Sequence, residues 1–417
     1  MNNAFKSADI LIPNKNTDMY KWSVIACDQY TSEPEYWKET ENIVGDSPSA
    51  LNLILPEIYL ESDNVDERIE NIHSAMDEYL EKNIFDEYKN ALVYVERIQN
   101  NGILRQGIVG KIDLEEYNYE RGSTSQVRAT EATVIERIPP RVKIRKNASL
   151  ELPHIMILID DENKNIIEPL ADMSKSMQKL YDFELMQNGG KIRGYLIPED
   201  VQNNIFGMLD TLGEYNHGLK DVPELLYAMG DGNHSLATAK EYYESLKREN
   251  PEKDFSNHPA RYALAEIVNL HSPALQFEAI HRIVTDIDTD TEKLLTDMND
   301  FLEITDNPSG QSFSYITADT EKTVYIGKPC SNLTVGSLQT FLDKWLKENG
   351  GKIDYIHGTD TLKSLVANKG GIGFILPDMN KNQLFPTVIK DGALPRKTFS
   401  MGHAEDKRFY IECRKIK

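Results

Sequence analysis

Residues 225–240 carry the strongest local signal in the chain, and they read Leu225-Leu226-Tyr227-Ala228-Met229-Gly230-Asp231-Gly232-Asn233-His234-Ser235-Leu236-Ala237-Thr238-Ala239-Lys240. An apolar run typical of a buried strand ends at Met229, and small polar residues follow it. Leu236, Ala239 and Tyr243 then recur at helical spacing. The stretch therefore predicts a strand, a turn around a glycine-flanked aspartate, and a helix.

This turn has the features of an anion site. Glycines on both sides of Asp231 let the backbone approach a ligand closely. The N–H groups of the first helical turn and the positive end of the helix dipole favour an oxyanion such as phosphate. The phosphate would then be bound by the whole turn, namely Asp231, Gly232, Asn233, His234 and Ser235. Asp231 would hold Mg²⁺, and His234 would donate a hydrogen bond or move a proton. The alternative is that Asp231 and Asn233 only cap the helix.

A second polar cluster lies upstream, between residues 121 and 141. It contains four arginines, Arg121, Arg128, Arg137 and Arg141, in an otherwise acidic protein. Arginine suits bidentate recognition of carboxylate or phosphate, so we expect Arg128 and Arg141 to bind phosphate. Glu131 is a candidate catalytic base. A surface network of ion pairs is the alternative explanation of the cluster.

Two further loops complete the candidate site. Residues 394–403 form a basic loop framed by proline and glycine, and Lys397 is its candidate phosphate ligand. Near the start of the chain, residues 20–28 are a mostly apolar strand or buried segment that ends in Asp28. Asp28 is a candidate catalytic carboxylate, with helix capping as the alternative.

The remaining pattern mixes helices and strands. It predicts helices over 36–43, from residue 65 onward, and over 335–348. Residues 91–98 and 103–112 flank a tight turn and predict a hairpin. Strands are expected over 154–160, 192–197, 353–356 and 373–376, and a helical stretch is expected before Gly189. The expected fold class is α+β, or mixed α/β, because strands and helices do not alternate regularly.

Composition limits the function. The chain has 417 residues and a net charge of −21, which disfavours nucleic acid and anionic membranes as partners. We also expect no signal peptide and no membrane span. Three isolated cysteines support neither a disulfide framework nor a zinc site and fit the cytoplasm. Phosphate-loop, dinucleotide and nucleophile-elbow motifs are absent from the sequence.

Four stretches resemble the family catalogued as domain of unknown function 1015, and the similarity runs from near residue 20 to the C-terminus. They are residues 22–30, Gln126-Val127-Arg128-Ala129-Thr130-Glu131, Gly230-Asp231-Gly232-Asn233-His234-Ser235, and residues 394–402. Many members carry Asp-Gly-His-His-Arg at the position of residues 231–235. That form looks like the phosphate-binding turn of the ParB/sulfiredoxin-like fold, which includes kinases acting on free serine.

The resemblance carries over residue by residue only in part. Asp231, Gly232 and His234 match, whereas Asn233 and Ser235 depart from the pattern. The missing arginine removes a fixed positive charge, so either a basic side chain from elsewhere (Arg128, Arg141 or Lys397) replaces it or the phosphate donor differs. Those kinases use a glutamate upstream of the turn as base. By position Glu131 is the candidate here.

The resemblance therefore implies a ParB/sulfiredoxin-like core with large insertions. We expect a catalytic region over 1–255 and a C-terminal α+β region over 256–417 that contributes the basic loop to the site. The expected activity is that of a small-molecule kinase acting on a hydroxyl compound, foremost free L-serine. ATP, ADP or pyrophosphate would be the donor, with Mg²⁺.

The alternative is a non-catalytic sensor of a nucleotide or phosphate ligand, or an interaction protein. The oligomeric state stays open, and a homodimer is compatible with the sequence.

Overall fold

The structure is a computed structural model that describes residues 3–120, 122–131, 133, 135, 138–152, 154–215, 222–287, 291–308, 310–395 and 397–417. Its helices are α1 (Met19–Trp22), α2 (Pro34–Val44), α3 (Val65–Glu81), α4 (Ile138–Lys146), α5 (Leu170–Met173), α6 (Glu199–Tyr215), α7 (Asn233–Glu249), α8 (Thr291–Leu302), α9 (Thr334–Asn349), α10 (Thr359–Lys369) and α11 (Leu384–Asp391). Within these ranges no helix combines the length and apolar character that a membrane span requires.

The strands are β1 (Phe5–Lys6), β2 (Ala8–Pro13), β3 (Phe85–Ala91), β4 (Val93–Ile98), β5 (Leu104–Asp113), β6 (Tyr117–Asn118), β7 (Val127–Arg128), β8 (Leu150–Glu151), β9 (Met156–Ile159), β10 (Gln178–Glu184), β11 (Lys191–Leu196), β12 (Tyr227–Asp231), β13 (Tyr262–Asn269), β14 (Phe277–Thr285), β15 (Ile304–Thr305), β16 (Ser312–Ile316), β17 (Glu321–Ile326), β18 (Lys352–His357), β19 (Ile372–Ile375), β20 (Phe399–Met401) and β21 (Arg414–Lys415).

The chain divides into two compact units. The first comprises Met1–Ala129, Thr133–Leu275 and His403–Lys417, and the second comprises Thr130–Ala132 and Gln276–Gly402. These units are defined by compactness, whereas the predicted regions 1–255 and 256–417 are defined by function. The predicted division at residue 255 therefore stays a prediction.

A mixed sheet organises the first unit. Its strand order is β10-β11-β4-β5-β13-β9-β12-β7-β6, with β1 added beside β5. Most neighbours are antiparallel, but β13 with β9, β12 with β7 and β6 with β7 run parallel. Side chains alternate between two cores, since Val93 and Val95 join one cluster and Tyr94 the other. The α+β class is confirmed.

The second unit has its own seven-stranded sheet. The order is β15-β17-β16-β19-β14-β18, and β20 pairs with β14. Leu362 and Val366 of α10 pack on Ile283, Ile316 and Ile356 of the sheet strands. Its elements include the predicted helix over 335–348, observed as α9, and the predicted strands observed as β18 and β19.

Two local predictions need comment. The stretch before Gly189 is not helical, because residues 178–184 form β10 and pair with β11 as a hairpin that buries Tyr181. Sheet pairing has overridden local helix propensity there. The segment before Asp28 is not a regular strand: its first residues, 20–22, belong to α1, and residues 23–26 are buried with one bridge, from Ile25 to Phe409.

Candidate active site

The turn between β12 and α7 has the backbone shape that its glycines suggest. Gly232 has φ +76° and immediately precedes α7, which begins at Asn233. A Cβ at this position would lie 3.0 Å from Cα of Ile155. Glycine is therefore required twice, once for the left-handed conformation and once for the close approach of the neighbouring backbone.

Asp231 does not cap α7. Its Oδ1 accepts a hydrogen bond of 3.0 Å from the N–H of Gly232, which precedes the helix. Its Oδ2 lies 3.3 Å from Nζ of Lys407, a residue of the C-terminal segment. Asp231 is thus one half of a largely buried ion pair beside the first turn of α7.

A second acidic group faces a histidine next to this turn. Oδ2 of Asp28 lies 3.5 Å from Nε2 of His154. The other ring nitrogen, Nδ1, is 2.7 Å from the hydroxyl of Tyr410, and Oγ of Ser235 is 3.4 Å from Nε2. The imidazole of His154 therefore lies among a carboxylate, a phenol and the hydroxyl of Ser235.

Electrostatics favours charge on both members of this pair. Burial alone would raise the pKa of Asp28, but the charge and hydrogen bond of His154 outweigh it, so this pKa falls below its usual range. Burial would lower the pKa of His154, but Asp28 and the nearby carboxylates of Asp231 and Glu57 raise it above 6.5. An ionised carboxylate beside a protonated imidazole is the favoured state.

The neighbouring thiol is a weak nucleophile. Burial and the carboxylates of Asp28 and Glu57 raise the pKa of Cys27 well above its usual value. A cysteine reacts as its thiolate, and the raised pKa keeps Cys27 in the thiol form. Cys27 therefore lines the site and is not its nucleophile.

The C-terminal segment is held against the Asp28 segment by the backbone. The N–H of Ala26 donates to the carbonyl of Arg408, and the N–H of Tyr410 donates to the carbonyl of Val24. The Tyr410 hydroxyl also accepts from the N–H of Cys27, at 3.2 Å. These bonds connect residues nearly 400 positions apart and bring Tyr410 to His154.

Two buried arginines fix the position of Lys407. Arg97 donates to the carbonyls of Glu405, Asp406 and Lys407. Nη1 of Arg105 donates to the carbonyl of Asp406 at 2.6 Å. The backbone next to Lys407 is therefore anchored by charge-assisted hydrogen bonds from two buried guanidinium groups.

A cavity of about 140 Å³ adjoins the His154 cluster. Ser235, His154, Tyr410 and Cys27 contribute to its lining, and so does Arg141. Arg141 pairs with Glu57 through Nε, at 3.0 Å, and through Nη2. The structure therefore brings the predicted residues Asp28, Arg141 and Ser235 into one neighbourhood.

Other predicted residues are placed differently. Arg128 is buried and donates to the carbonyls of Ser125, Pro223 and Glu224, so these donors bind the protein's own backbone. Its role as a phosphate ligand gains no support from this geometry.

Asn233 donates to Oγ1 of Thr133, and His234 is a half-buried residue of the first turn of α7.

Glu131 and Lys397 belong to the second unit. Burial raises the pKa of Glu131, while the charge of Lys397 and the backbone N–H groups of Lys397 and Thr398 oppose the rise. Glu131 also forms a bridge with Leu394. These two predicted residues are therefore close to each other, and their catalytic roles stay predictions.

A magnesium ion fits this site only in a limited way. Mg²⁺ at a phosphate site usually takes one or two carboxylates and completes its shell with phosphate oxygens and water. Asp231 and Asp28 are the carboxylates that face His154, and each has a cationic partner. The described parts of the chain hold no group of three or more His, Cys, Asp or Glu side chains placed for a metal ion.

Three residues of the cluster escaped sequence reasoning, namely His154, Lys407 and Tyr410. His154 stands in an apolar run and was expected only as part of a strand. Lys407 and Tyr410 lie close to the C-terminus, in a stretch without a motif. They are brought together by long-range contacts, namely the pairing of residues 24–27 with 408–410 and the contact of His154 with Tyr410.

The family model described as "Protein of unknown function (DUF1015)" matches residues 10–345. The match covers most of the chain, so the protein belongs to this family, as the resemblance indicated. Asp28, His154 and the turn before α7 lie inside the matched region. Lys407 and Tyr410 lie beyond it. No curated protein matches the sequence.

Solved structures with a similar arrangement include three that cover about three quarters of this chain. A free serine kinase in complex with AMP has 11% identity and a TM-score of 0.39, with 74% of this chain and 92% of that chain covered. A conserved hypothetical protein from Pyrococcus furiosus has 10% identity and a TM-score of 0.36, with 74% and 95% covered. SbnI from Staphylococcus aureus, with a C-terminal truncation, has 8% identity and a TM-score of 0.36, with 73% and 82% covered.

Proposed function

We propose that the protein is a phosphotransferase that phosphorylates the hydroxyl group of a small compound beside the first turn of α7. One observation carries the proposal: the Asp28–His154 pair and the cation Lys407 converge beside the N-terminus of α7, where the preceding turn requires Gly232. Phosphoryl transfer needs mainly positioning and neutralisation of charge, and these groups supply both.

Each group has a defined role in this proposal. The N–H groups of the first turn of α7 and the ammonium of Lys407 hold the donor phosphates. The acceptor oxygen forms a bond to phosphorus as the bond to the leaving phosphate oxygen breaks. Asp28 is a weak base because its pKa is lowered, and it accepts the hydroxyl proton once this bond formation has made the proton acidic. His154 orients Asp28 by its charge. Magnesium, when bound, would screen the phosphate charge, and Asp231 would be its ligand after leaving Lys407.

Free L-serine is the first acceptor to test, because the resemblance implies it. Purified protein is incubated with serine, Mg²⁺ and ATP, ADP or pyrophosphate, and O-phosphoserine is detected by ³¹P NMR. The proposal predicts product with one donor and a loss of about 100-fold or more in kcat for Asp28→Asn. Lack of phosphoryl transfer to any hydroxyl compound from every donor would remove the activity.

Glu131→Gln separates the two candidate bases. If Asp28 is the base, Glu131→Gln retains most of the turnover, and if Glu131 is the base, the losses are reversed. Arg128→Lys serves as the comparison for a purely structural change, because Arg128 donates to backbone carbonyls of the protein.

A ligand sensor without turnover is the second candidate. The Asp231–Lys407 ion pair favours it, because a metal ion would have to displace Lys407 from this carboxylate. A sensor would bind nucleotide with equal affinity in the wild type and in Asp28→Asn, and neither protein would release product.

A further inference from the structure

The cavity beside His154 indicates which acceptor the site takes. Most of its wall is apolar and comes from the segment after residue 50, from α3 and α4, and from the residues around β8. These apolar wall residues include Leu53, Leu55, Met76, Ile144, Leu150 and Leu152. Such a wall gains little from contact with a charged amino acid, since that ligand would lose its hydration without compensation.

The charged groups of the wall pair with one another, although Nε of Arg145 has no hydrogen-bond partner among the described residues. Arg141 pairs with Glu57, and Nη2 of Arg145 donates to Glu151 at 2.5 Å. A zwitterion such as serine would have to compete with these ion pairs for its partners. A neutral ligand would leave them intact.

The polar atoms of the wall lie together. Tyr410 contacts both His154 and the N–H of Cys27, and Ser235 contacts His154. Thr238 follows Ser235 by three residues on α7, so both side chains lie on the same face of the helix. Thr238 also lines the cavity.

Thr238 supplies a separate indication of a ligand. The residue is only 5% exposed, and its Oγ1 has no hydrogen-bond partner among the described residues. A buried hydroxyl without a partner is unfavourable and rare in folded proteins. A hydroxyl group of a ligand in the cavity would satisfy it.

We propose that the cavity binds a neutral alcohol with an apolar body of about the size of a benzene ring, in place of free serine. A cavity of about 150 Å³ with apolar walls is known to admit benzene, and this one measures about 140 Å³. The apolar body of the alcohol lies against the apolar wall residues, and its hydroxyl faces Thr238, Ser235 and His154. That this alcohol is the phosphoryl acceptor rests on the proposed function.

Direct binding to the full-length protein, measured without a phosphate donor, tests the cavity independently of turnover. Benzyl alcohol, toluene and L-serine are titrated and followed by ligand-observed NMR. Saturable binding of benzyl alcohol, stronger than that of toluene and at least tenfold stronger than that of serine, is expected. Serine binding more tightly than benzyl alcohol, or no saturable binding of benzyl alcohol, would overturn the proposal.

Two variants locate the binding. Ala148 is buried in the cavity wall, so Ala148→Leu fills the space and should weaken benzyl alcohol binding at least tenfold. Thr238→Val keeps the side-chain shape and should reduce the preference for benzyl alcohol over toluene. Unchanged binding in Ala148→Leu would contradict the proposal, and if that variant does not fold, an unchanged preference in Thr238→Val would contradict it.

Binding of benzyl alcohol without any phosphorylated product would leave the cavity assignment intact and refute only the proposed transfer.

Discussion

Nε2 of His154 lies 3.5 Å from Oδ2 of Asp28, and the two residues come from segments that are far apart in the sequence. The surroundings of the pair lower the pKa of Asp28 and raise that of His154, so the contact is an ion pair in the middle of the pH range. The stability of the fold and the proposed activity therefore depend on the same two groups.

The pair predicts a defined pH dependence of stability. The carboxylate of Asp28 contributes above its ordinary pKa of 3.8, and that contribution is lost as the pH falls through its lowered value. Protonated His154 contributes below 6.5, and its contribution is lost as the pH rises through its raised value. Urea unfolding of wild type and Asp28→Asn should therefore differ more near pH 5.5 than near pH 9.

The exposed pair of Asp172 and Lys175 provides the control for this measurement. Asp172→Asn should change the free energy of unfolding little at either pH, because exposed ion pairs contribute little. A difference between wild type and Asp28→Asn that grows toward pH 9 would contradict the assigned ion pair.

Lys407 should matter for anion binding. Removing its charge with Lys407→Met should weaken ADP binding about tenfold, which corresponds to about 1.4 kcal/mol, because an ammonium beside the phosphates is lost. Lys415→Met removes the same charge from the same segment, where Lys415 pairs with exposed Glu87, and should leave the Kd for ADP unchanged. Isothermal titration gives both values, and equal effects of the two variants would show that only net charge matters.

Gly232 should be irreplaceable by alanine. Gly232→Ala places a Cβ at positive φ and 3.0 Å from Cα of Ile155, so we expect a loss of about 1–3 kcal/mol in the free energy of unfolding. Gly207 of α6 is the matched control, because its Cβ would meet no atom within 4 Å. Gly207→Ala should stabilise the protein by up to about 1 kcal/mol. Denaturant unfolding measures both, and a tolerated Gly232→Ala would refute the tight turn.

Thr238→Val should not destabilise the ligand-free protein. The change removes a buried hydroxyl that has no partner among the described residues, so the free energy of unfolding should stay equal or rise by up to about 1 kcal/mol. Thr40 is the matched control, because its buried hydroxyl contacts the carbonyl of Tyr36 and Oε1 of Gln187. Thr40→Val should cost about 1–2 kcal/mol. Equal losses for both threonines would mean that the Thr238 hydroxyl has a partner.

Much of the fold follows from local pattern. The stripe from Val65 predicts α3, the turn at residues 100–102 predicts the β4–β5 hairpin, and residues 225–240 predict β12 and α7. In each case the period of apolar residues agrees with the element that tertiary packing requires. The helix predicted before Gly189 was wrong, because these residues favour a helix locally and become strand β10 only by pairing with β11.

The candidate site was predictable only where its residues are close in sequence. The turn at residues 231–235 shows itself through glycines and a helix start. The contacts of His154 with Asp28 and Tyr410 span 126 and 256 positions, and no local rule links such residues. Arg128 was predicted to bind phosphate because of its charge. The sequence does not reveal that its N–H groups donate to backbone carbonyls in the fold.

A crystal structure of the protein with ADP tests the central claim most directly. The account predicts the phosphate groups within hydrogen-bond distance of the backbone N–H groups of His234 and Ser235 and of Nζ of Lys407. A nucleotide bound elsewhere, with the first turn of α7 closed off by packed side chains, would contradict it.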